Sequence, residues 1–235
     1  MAKKVFIDAG HGGVDPGAVD GTANDPIYTE EADRNLDMAL KFGAALKRSG
    51  IEVRYSRTGD STLTLAERAN AANVWDADYF VSWHCNGGPD GATSRGIEVF
   101  NYYGSTAGKA LATAIYNRLD DVSPWADRGV KEAGFYVLKY THMPAALIEA
   151  GFVNNTEEEA ALAQPAYRLA LAEAAAKGVC AHLGVTYVPA VPEQSYLKAE
   201  AHLLSTDRAK YQAVADACGD YIKFSPTTKD SWKEW

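Results

Sequence analysis

Apolar and polar positions along residues 1–184 predict short strands separated by helices. Apolar or alternating runs predict strands at residues 5–8, 51–56, 79–84, 96–102, 135–138 and 145–149. Helical spacing of apolar residues, together with capping and stop signals, predicts helices at residues 31–48, 64–74, 105–119 and 165–184, and another that begins at Thr156. Strands that alternate with helices in this way indicate an α/β fold, with a sheet covered by helices on both faces.

The pattern changes near residue 185. Residues 185–193 carry two prolines in an extended stretch and are predicted to form a linker. Residues 194–235 contain helical stretches but are too few for a confident independent core, so we expect a small helical C-terminal appendage. The domain organisation predicted is therefore a main domain at residues 1–184, a linker and this tail, which could pair two chains.

Three of the predicted strands end in residues that can perform chemistry. The first leads into a glycine-rich loop around His11, the run at residues 79–84 ends in His84, and the run at residues 145–149 ends in Glu149. In an open parallel sheet the carboxyl ends of the strands share one edge, where ligands bind. We therefore expect these three side chains to meet at one site.

Two histidines and a carboxylate form a common ligand set for catalytic zinc, which keeps a further position open for water. His11 and His84 supply the two imidazoles, and Glu31 at the start of the first helix is the best candidate for the third ligand, with Glu30 as a rival. Zinc lowers the pKa of bound water from about 16 to roughly 7. Glu149 could then act as the general base. The residues predict a Zn²⁺-dependent hydrolase.

Composition narrows the possible functions. The chain of 235 residues has a net charge of −8, which argues against a nucleic-acid surface. Its three cysteines lack CxxC spacing and are too scattered for a disulfide framework. The N-terminal residues lead directly into the first predicted strand, so we expect no signal peptide, and no apolar run is long enough to cross a bilayer. We expect synthesis in the cytoplasm and no membrane insertion.

Several linked motifs occur between about residue 4 and residue 183. They are IDAGHGGVDPGA at residues 7–18, EADRNL at 31–36, SWHCN at 82–86, GIEV at 96–99, RGVK at 128–131, FYVL at 135–138 and MPAALIEAGF at 143–152. In sequence and in order, these motifs resemble those of the zinc-dependent N-acetylmuramoyl-L-alanine amidases of the amidase-3 family.

The resemblance implies a twisted, mostly parallel six-stranded sheet and a metal site made by His11, Glu31 and His84. It favours Glu31 over Glu30 and gives Glu149 the catalytic role. The implied reaction cleaves the amide between N-acetylmuramic acid and L-alanine in peptidoglycan. A phage endolysin or an autolysin that reaches the wall through a pore or another exit fits these features. A zinc peptidase that cuts the stem peptide, and a wall-binding protein with a relict site, stay open as alternatives. Arg57 and Arg68 are expected to be structural.

Overall fold

The structure, a computed structural model, describes residues 2–21, 28–89, 93–125 and 127–190. Its centre is a six-stranded sheet with the order β4-β1-β5-β8-β6-β7, and the short strands β2 and β3 form a separate pair. The strands are β1 (Lys4–Ala9), β2 (Val19–Asp20), β3 (Thr29–Glu30), β4 (Glu52–Tyr55), β5 (Tyr79–Asn86), β6 (Ile97–Asn101), β7 (Asp127–Glu132) and β8 (Ala145–Phe152). The helices are α1 (Glu31–Arg48), α2 (Leu65–Val74), α3 (Thr106–Asp120), α4 (Tyr136–Tyr140), α5 (Thr156–Ala163) and α6 (Pro165–Leu183).

Most strand pairs are parallel. β1 lies between β4 and β5, β8 follows β5, and all of these pairs run in one direction. β6 is antiparallel to β8 and parallel to the edge strand β7. The α/β class and the mostly parallel six-stranded sheet are thus confirmed. The carboxyl ends of β1 and β5 lie side by side, which positions the functional side chains that follow them.

Helices cover both faces of the sheet, as predicted. On one face, α1, α3 and α6 pack on the inward side chains of β1, β5 and β8 to form the larger core, which includes Phe42 and Trp83. On the other face, α2 and α4 cover a smaller core around Phe6, Phe80 and Leu147. Strands buried on both sides explain why β1, β5 and β8 appear in the sequence as continuous apolar runs rather than alternating ones.

Local signals define the ends of the helices. The Thr64 hydroxyl accepts a hydrogen bond from the Glu67 amide, and the Glu67 side chain accepts one from the Thr64 amide, which completes the predicted capping box of α2. α6 begins at Pro165 and ends before Gly184, which has a φ of 66°. α5 begins at Thr156, as predicted, and its N-cap is Asn155, whose side chain accepts hydrogen bonds from the amides of Glu157 and Glu158.

One predicted strand is wrong. Residues 135–138 belong largely to the short helix α4, which buries Val137 and Leu138. The sixth strand is β7, in a segment for which the sequence pattern predicts neither a strand nor a helix. Its sequence, DRGVKE, is mostly polar because β7 lies at the edge of the sheet, where only partial burial is available.

After α6 the chain continues on the surface of the domain up to residue 190. The Val188 amide donates to the Ser49 hydroxyl at 3.0 Å, so residues 185–190 contact the end of α1. The last three residues of the predicted linker and the whole tail at residues 194–235 lie outside the described residues, as does any pairing of chains through that tail. Within the described ranges, none of the helices has the length and apolar character needed to span a bilayer.

Candidate metal centre

His11 is presented by a tight turn directly after β1. Its backbone has a φ of 59°, and Gly12 and Gly13 follow with φ values of 122° and 65°, so three consecutive residues are left-handed or close to it. The Gly12 amide donates to the Asp15 carbonyl at 2.7 Å and closes the turn. His11 Nδ1 is 2.8 Å from Asp15 Oδ2 and donates to it, which leaves Nε2 directed at the cleft.

His84 lies near the end of β5, next to the turn that carries His11. The two imidazole rings are 4.9 Å apart, edge to face. Gly10 packs directly against the His84 ring, and a Cβ at Gly10 would overlap three of its atoms. The close approach of the two strand ends therefore requires glycine at this position.

Glu31 is the first residue of α1 and lies between the two histidines. Its Oε1 is 2.9 Å from His84 Nδ1, and its Oε2 is 3.2 Å from His11 Nε2. The backbone amides of Ala18 and Cys85 donate to the two carboxylate oxygens at 2.9 and 3.1 Å. These bonds fix the carboxylate plane toward both rings.

Glu30, the rival of Glu31, lies elsewhere. Its Oε1 accepts a hydrogen bond from the Tyr28 hydroxyl at 2.8 Å, on the exposed side of the β2–β3 pair. In the described part of the chain, the group whose ligand atoms all lie within 4.8 Å of one another consists of His11, Glu31 and His84. The structure thus brings together the three residues expected to hold a metal and leaves Glu30 outside.

The donor set fits a catalytic divalent ion. Two imidazole nitrogens and one carboxylate converge, and a set of this kind holds zinc with a position open to a reactant. His11 also has the outer partner that metal-ligating imidazoles usually have, because Asp15 accepts a hydrogen bond from its Nδ1. The Glu31 carboxylate is in turn held by the backbone amides of Ala18 and Cys85.

The carboxylates around the two histidines change the pKa values of the triad. Burial alone would lower the pKa of His11, but Glu31 and Asp15 outweigh it and raise the pKa to about 9. Burial likewise opposes the charge of Glu31, yet its contacts with His11 and His84 hold its pKa well below the usual range. Without an ion, the carboxylate thus stays ionised between two imidazoles that favour protonation, and a divalent cation can replace those protons.

Two supporting residues had no assigned role in the sequence analysis. Asp15 orients His11, and Asn35, one helical turn after Glu31, donates from Nδ2 to Glu31 Oε1 at 3.0 Å and toward the Gly10 carbonyl at 3.4 Å. A carboxylate four residues after a loop histidine and an amide at i+4 from the helix glutamate are the signals that could have identified them.

Glu149 lies beside the triad without joining it. It pairs in register with His84 across the β5–β8 ladder. Its Oε2 is buried, and no hydrogen-bond partner for this atom is found among the described residues. Burial raises the pKa of Glu149 to about 8, although the nearby His84 acts in the opposite direction. A carboxyl with this pKa can both take and return a proton near neutral pH.

These side chains line a cleft of about 590 Å³. The partly exposed side chains of Leu65, Phe135 and Tyr136 also line this cleft. The volume is in the range of small-molecule sites. The cleft is therefore large enough to hold a ligand in contact with the triad and Glu149.

Comparison with known proteins identifies a family. The family model for N-acetylmuramoyl-L-alanine amidases, amidase-3, matches residues 5–181. The amidase CwlM of Bacillus licheniformis is 40% identical over 177 residues, which cover 75% of this chain and 67% of CwlM. The endolysin of Bacillus phage SPP1 is 37% identical over 187 residues, covering 76% of this chain and 65% of the endolysin.

Solved structures agree with this assignment. The N-acetylmuramoyl-L-alanine amidase of Clostridium difficile 630 superposes with a TM-score of 0.72 at 38% identity, covering 78% of this chain and 97% of that one. The catalytic domain of CwlV from Bacillus (Paenibacillus) polymyxa var. colistinus gives a TM-score of 0.72 at 35% identity, with 78% and 99% covered. The chain therefore belongs to the amidase-3 family of N-acetylmuramoyl-L-alanine amidases.

Proposed function

We propose that this protein is a zinc-dependent peptidoglycan hydrolase. It cleaves the amide bond between the lactyl group of N-acetylmuramic acid and the L-alanine of the stem peptide. Membership of the amidase-3 family supports the assignment of this amide as the bond that is cleaved. The observation that carries the mechanism is the position of Glu149 beside a cluster of two histidines and one carboxylate. The Oε2 atom of Glu149 is buried and has no hydrogen-bond partner among the residues that the structure describes.

The metal would be held by His11, Glu31 and His84. A Zn²⁺ ion bound there supplies Lewis-acid chemistry, which lowers the pKa of a water molecule and polarises the amide carbonyl. Asp15 keeps the proton of His11 on Nδ1, so that Nε2 is free to bind the ion.

Glu149 moves the protons of the reaction. Its carboxylate takes a proton as water adds to the amide carbonyl carbon, and the same proton then passes to the leaving nitrogen as the C–N bond breaks. The products are the lactyl carboxylate on the sugar and a free amine on L-alanine. Because Glu149 is buried, the protonated form is stable enough to hold the proton between the two steps.

The site of action that fits this chemistry is the cell wall. The relative from phage SPP1 is an endolysin, and its similarity supports release to the wall from inside the cell. Peptidoglycan is then the partner of the cleft, with the sugar and the stem peptide on either side of the triad.

Mass spectrometry of digested peptidoglycan tests the proposal. We expect stem peptides that begin with a free L-alanine amine, together with glycan strands that have lost their peptides. The Glu52→Gln variant should give the same products, because Glu52 is an exposed carboxylate at the end of the sheet opposite the triad. A new amine inside the stem peptide would instead indicate a peptidase, and new reducing sugars would indicate a glycosidase. The absence of any product with zinc-loaded protein would indicate a binding protein.

A further inference from the structure

Arg57 is a buried arginine that donates only to backbone carbonyls in the described part of the chain. Its Nε donates to the Ala9 carbonyl at 3.0 Å and its Nη1 to the Gly59 carbonyl at 3.2 Å. Its Nη2 donates to the Gly10 carbonyl at 2.9 Å and to the Ala32 carbonyl at 2.7 Å. The side chain is 5% exposed, so these bonds are shielded from water.

The two carbonyls that share Nη2 belong to the two segments that carry metal ligands. Gly10 immediately precedes His11, and Ala32 immediately follows Glu31. A single nitrogen atom therefore joins the turn after β1 to the first turn of α1. The separation of these segments decides whether His11 Nε2 and Glu31 Oε2 can face one another.

Arg68 holds the same turn from a second side. Its Nη2 donates to the His11 carbonyl at 2.7 Å, and its Nη1 donates to the Ala9 carbonyl at 2.6 Å and to Asp8 Oδ1 at 2.8 Å. Asp8 Oδ2 accepts a hydrogen bond from the Ser82 hydroxyl at 2.8 Å. Arg68 thus has a carboxylate partner of its own, whereas no ion pair of Arg57 is found in the described ranges of the chain.

The turn held by Arg57 is conformationally costly. His11 is a non-glycine residue with a φ of 59°, a region that persists only when surrounding contacts require it. A Cβ on Gly12 would lie 2.9 Å from Arg57 Nε, so the turn rests directly on the guanidinium. The arginine supplies contacts that hold His11 in this conformation.

Charge does not explain the presence of Arg57 at this place. The positive charge of Arg57 lies close to the proposed cation site and repels a divalent ion that binds there. Lysine would supply the same charge, but its ammonium cannot reproduce the planar fork that serves several carbonyls at fixed angles. The contribution of Arg57 is therefore its geometry.

We propose that Arg57 is a positioning residue of the metal centre. By tying the backbone beside His11 to the backbone beside Glu31, it sets the geometry of the ligand triad and with it the affinity for the ion. The inference rests on the proposed function, since it requires that the triad binds metal.

Arg57→Lys and Arg57→Gln test this role, and Arg168→Lys is the matched control. Arg168 is also a buried arginine that donates to two backbone carbonyls, at Leu162 and Ala163, and it pairs with Asp37 away from the triad. The affinity of each metal-free protein for Zn²⁺ is measured by competition with a chromophoric chelator. The visible spectrum of the Co²⁺-loaded protein reports ligand geometry, and near-UV circular dichroism reports the fold.

We expect both Arg57 variants to keep the near-UV spectrum and to lose about 10–100-fold in Zn²⁺ affinity, the usual effect of removing an outer partner of a ligand. Their Co²⁺ spectra should change, while Arg168→Lys keeps the wild-type spectrum and affinity. Wild-type affinity in both Arg57 variants would overturn the inference and leave the proposed function intact. Unfolding of both Arg57 variants would also overturn it, because Arg57 would then serve the whole domain. Absence of metal binding by the wild-type protein would instead refute the proposed function.

Discussion

Glu149→Gln separates the proposed chemistry from metal binding. The substitution keeps the size of the side chain and removes its ability to accept a proton. Glu149 is not one of the three residues whose ligand atoms converge, and its Oε2 makes no hydrogen bond to a described residue. The triad should therefore keep its ion, and only the proton transfer should be lost.

The expected loss in kcat is about 10²–10⁴-fold, the range that a positioned general base contributes. It corresponds to about 3–5 kcal/mol of transition-state stabilisation. The rate of stem-peptide release from purified peptidoglycan gives kcat, and metal analysis gives the zinc content of the same sample. Glu52→Gln should keep both, because that carboxylate is exposed and lies at the far end of the sheet.

The pH dependence of the wild-type protein provides a second readout of the same residue. Burial raises the pKa of Glu149 to about 8 in the metal-free protein, and a bound divalent cation favours the ionised form and lowers that value. Activity should therefore fall as the pH decreases below the pKa of the metal-loaded state, since the base becomes protonated. The remaining activity of Glu149→Gln should lack this acid limb.

The contribution of Glu149 to the free energy of unfolding should decrease as the pH rises, whereas the activity should increase. In the metal-free protein the folded state binds the Glu149 proton more tightly than the unfolded state does. The stability from this group is complete below its ordinary pKa of 4.5 and is lost as the pH rises toward about 8. With chelator present, the Tm of Glu149→Gln relative to wild type should therefore increase between about pH 5 and about pH 9. A Glu149→Gln protein that retains wild-type kcat with full zinc would refute the general-base role.

Two substitutions test the geometry around the ligands. Gly10→Ala should displace His84 and weaken Zn²⁺ binding, because the new Cβ would overlap the imidazole. Gly59→Ala is the control and should leave Zn²⁺ binding unchanged, because a Cβ at Gly59 would meet nothing within 4 Å. Unchanged Zn²⁺ affinity in Gly10→Ala by chelator competition would contradict the proposed position of His84. Asp15→Ala should reduce the affinity about 10–100-fold because it removes the acceptor that orients His11. Asp15→Asn should keep most of the Zn²⁺ affinity, since an amide oxygen can accept the same hydrogen bond from His11 Nδ1. Equal Zn²⁺ affinities in Asp15→Ala and Asp15→Asn would show that this hydrogen bond has no role.

Much of the fold was predictable because its strands have strong local signals. β1, β5 and β8 are buried on both faces and appear as apolar runs that end at residues with polar or charged side chains. The error at residues 135–138 has a physical cause, since an apolar run of four residues does not distinguish a strand from a helix turn. The edge strand β7 escaped prediction because its polar side chains lack a two-residue alternation.

The candidate site was predictable to the extent that it follows from strand ends. Parallel strands place His11 and His84 at one edge, and β8 runs parallel to β5 and carries Glu149 beside His84. The choice of Glu31 over Glu30 needed the family resemblance, because adjacent residues at a helix start differ only in the direction of their side chains. The role of Arg57 depends on long-range hydrogen bonds to backbone carbonyls, which no local pattern encodes. Asp15 and Asn35 each lie four residues from the side chain that they contact, so the sequence carries only a weak local signal for them.

A zinc-edge anomalous difference map of the crystallised, zinc-loaded protein tests the proposed metal centre most directly. We predict a single strong peak bounded by His11 Nε2, His84 and the Glu31 carboxylate, with Glu149 nearby but not bound to the ion. The peak should vanish in Glu31→Gln and persist in Glu149→Gln. A wild-type map without a peak at this place, or a peak that persists unchanged in Glu31→Gln, would contradict a metal centre built from these three residues.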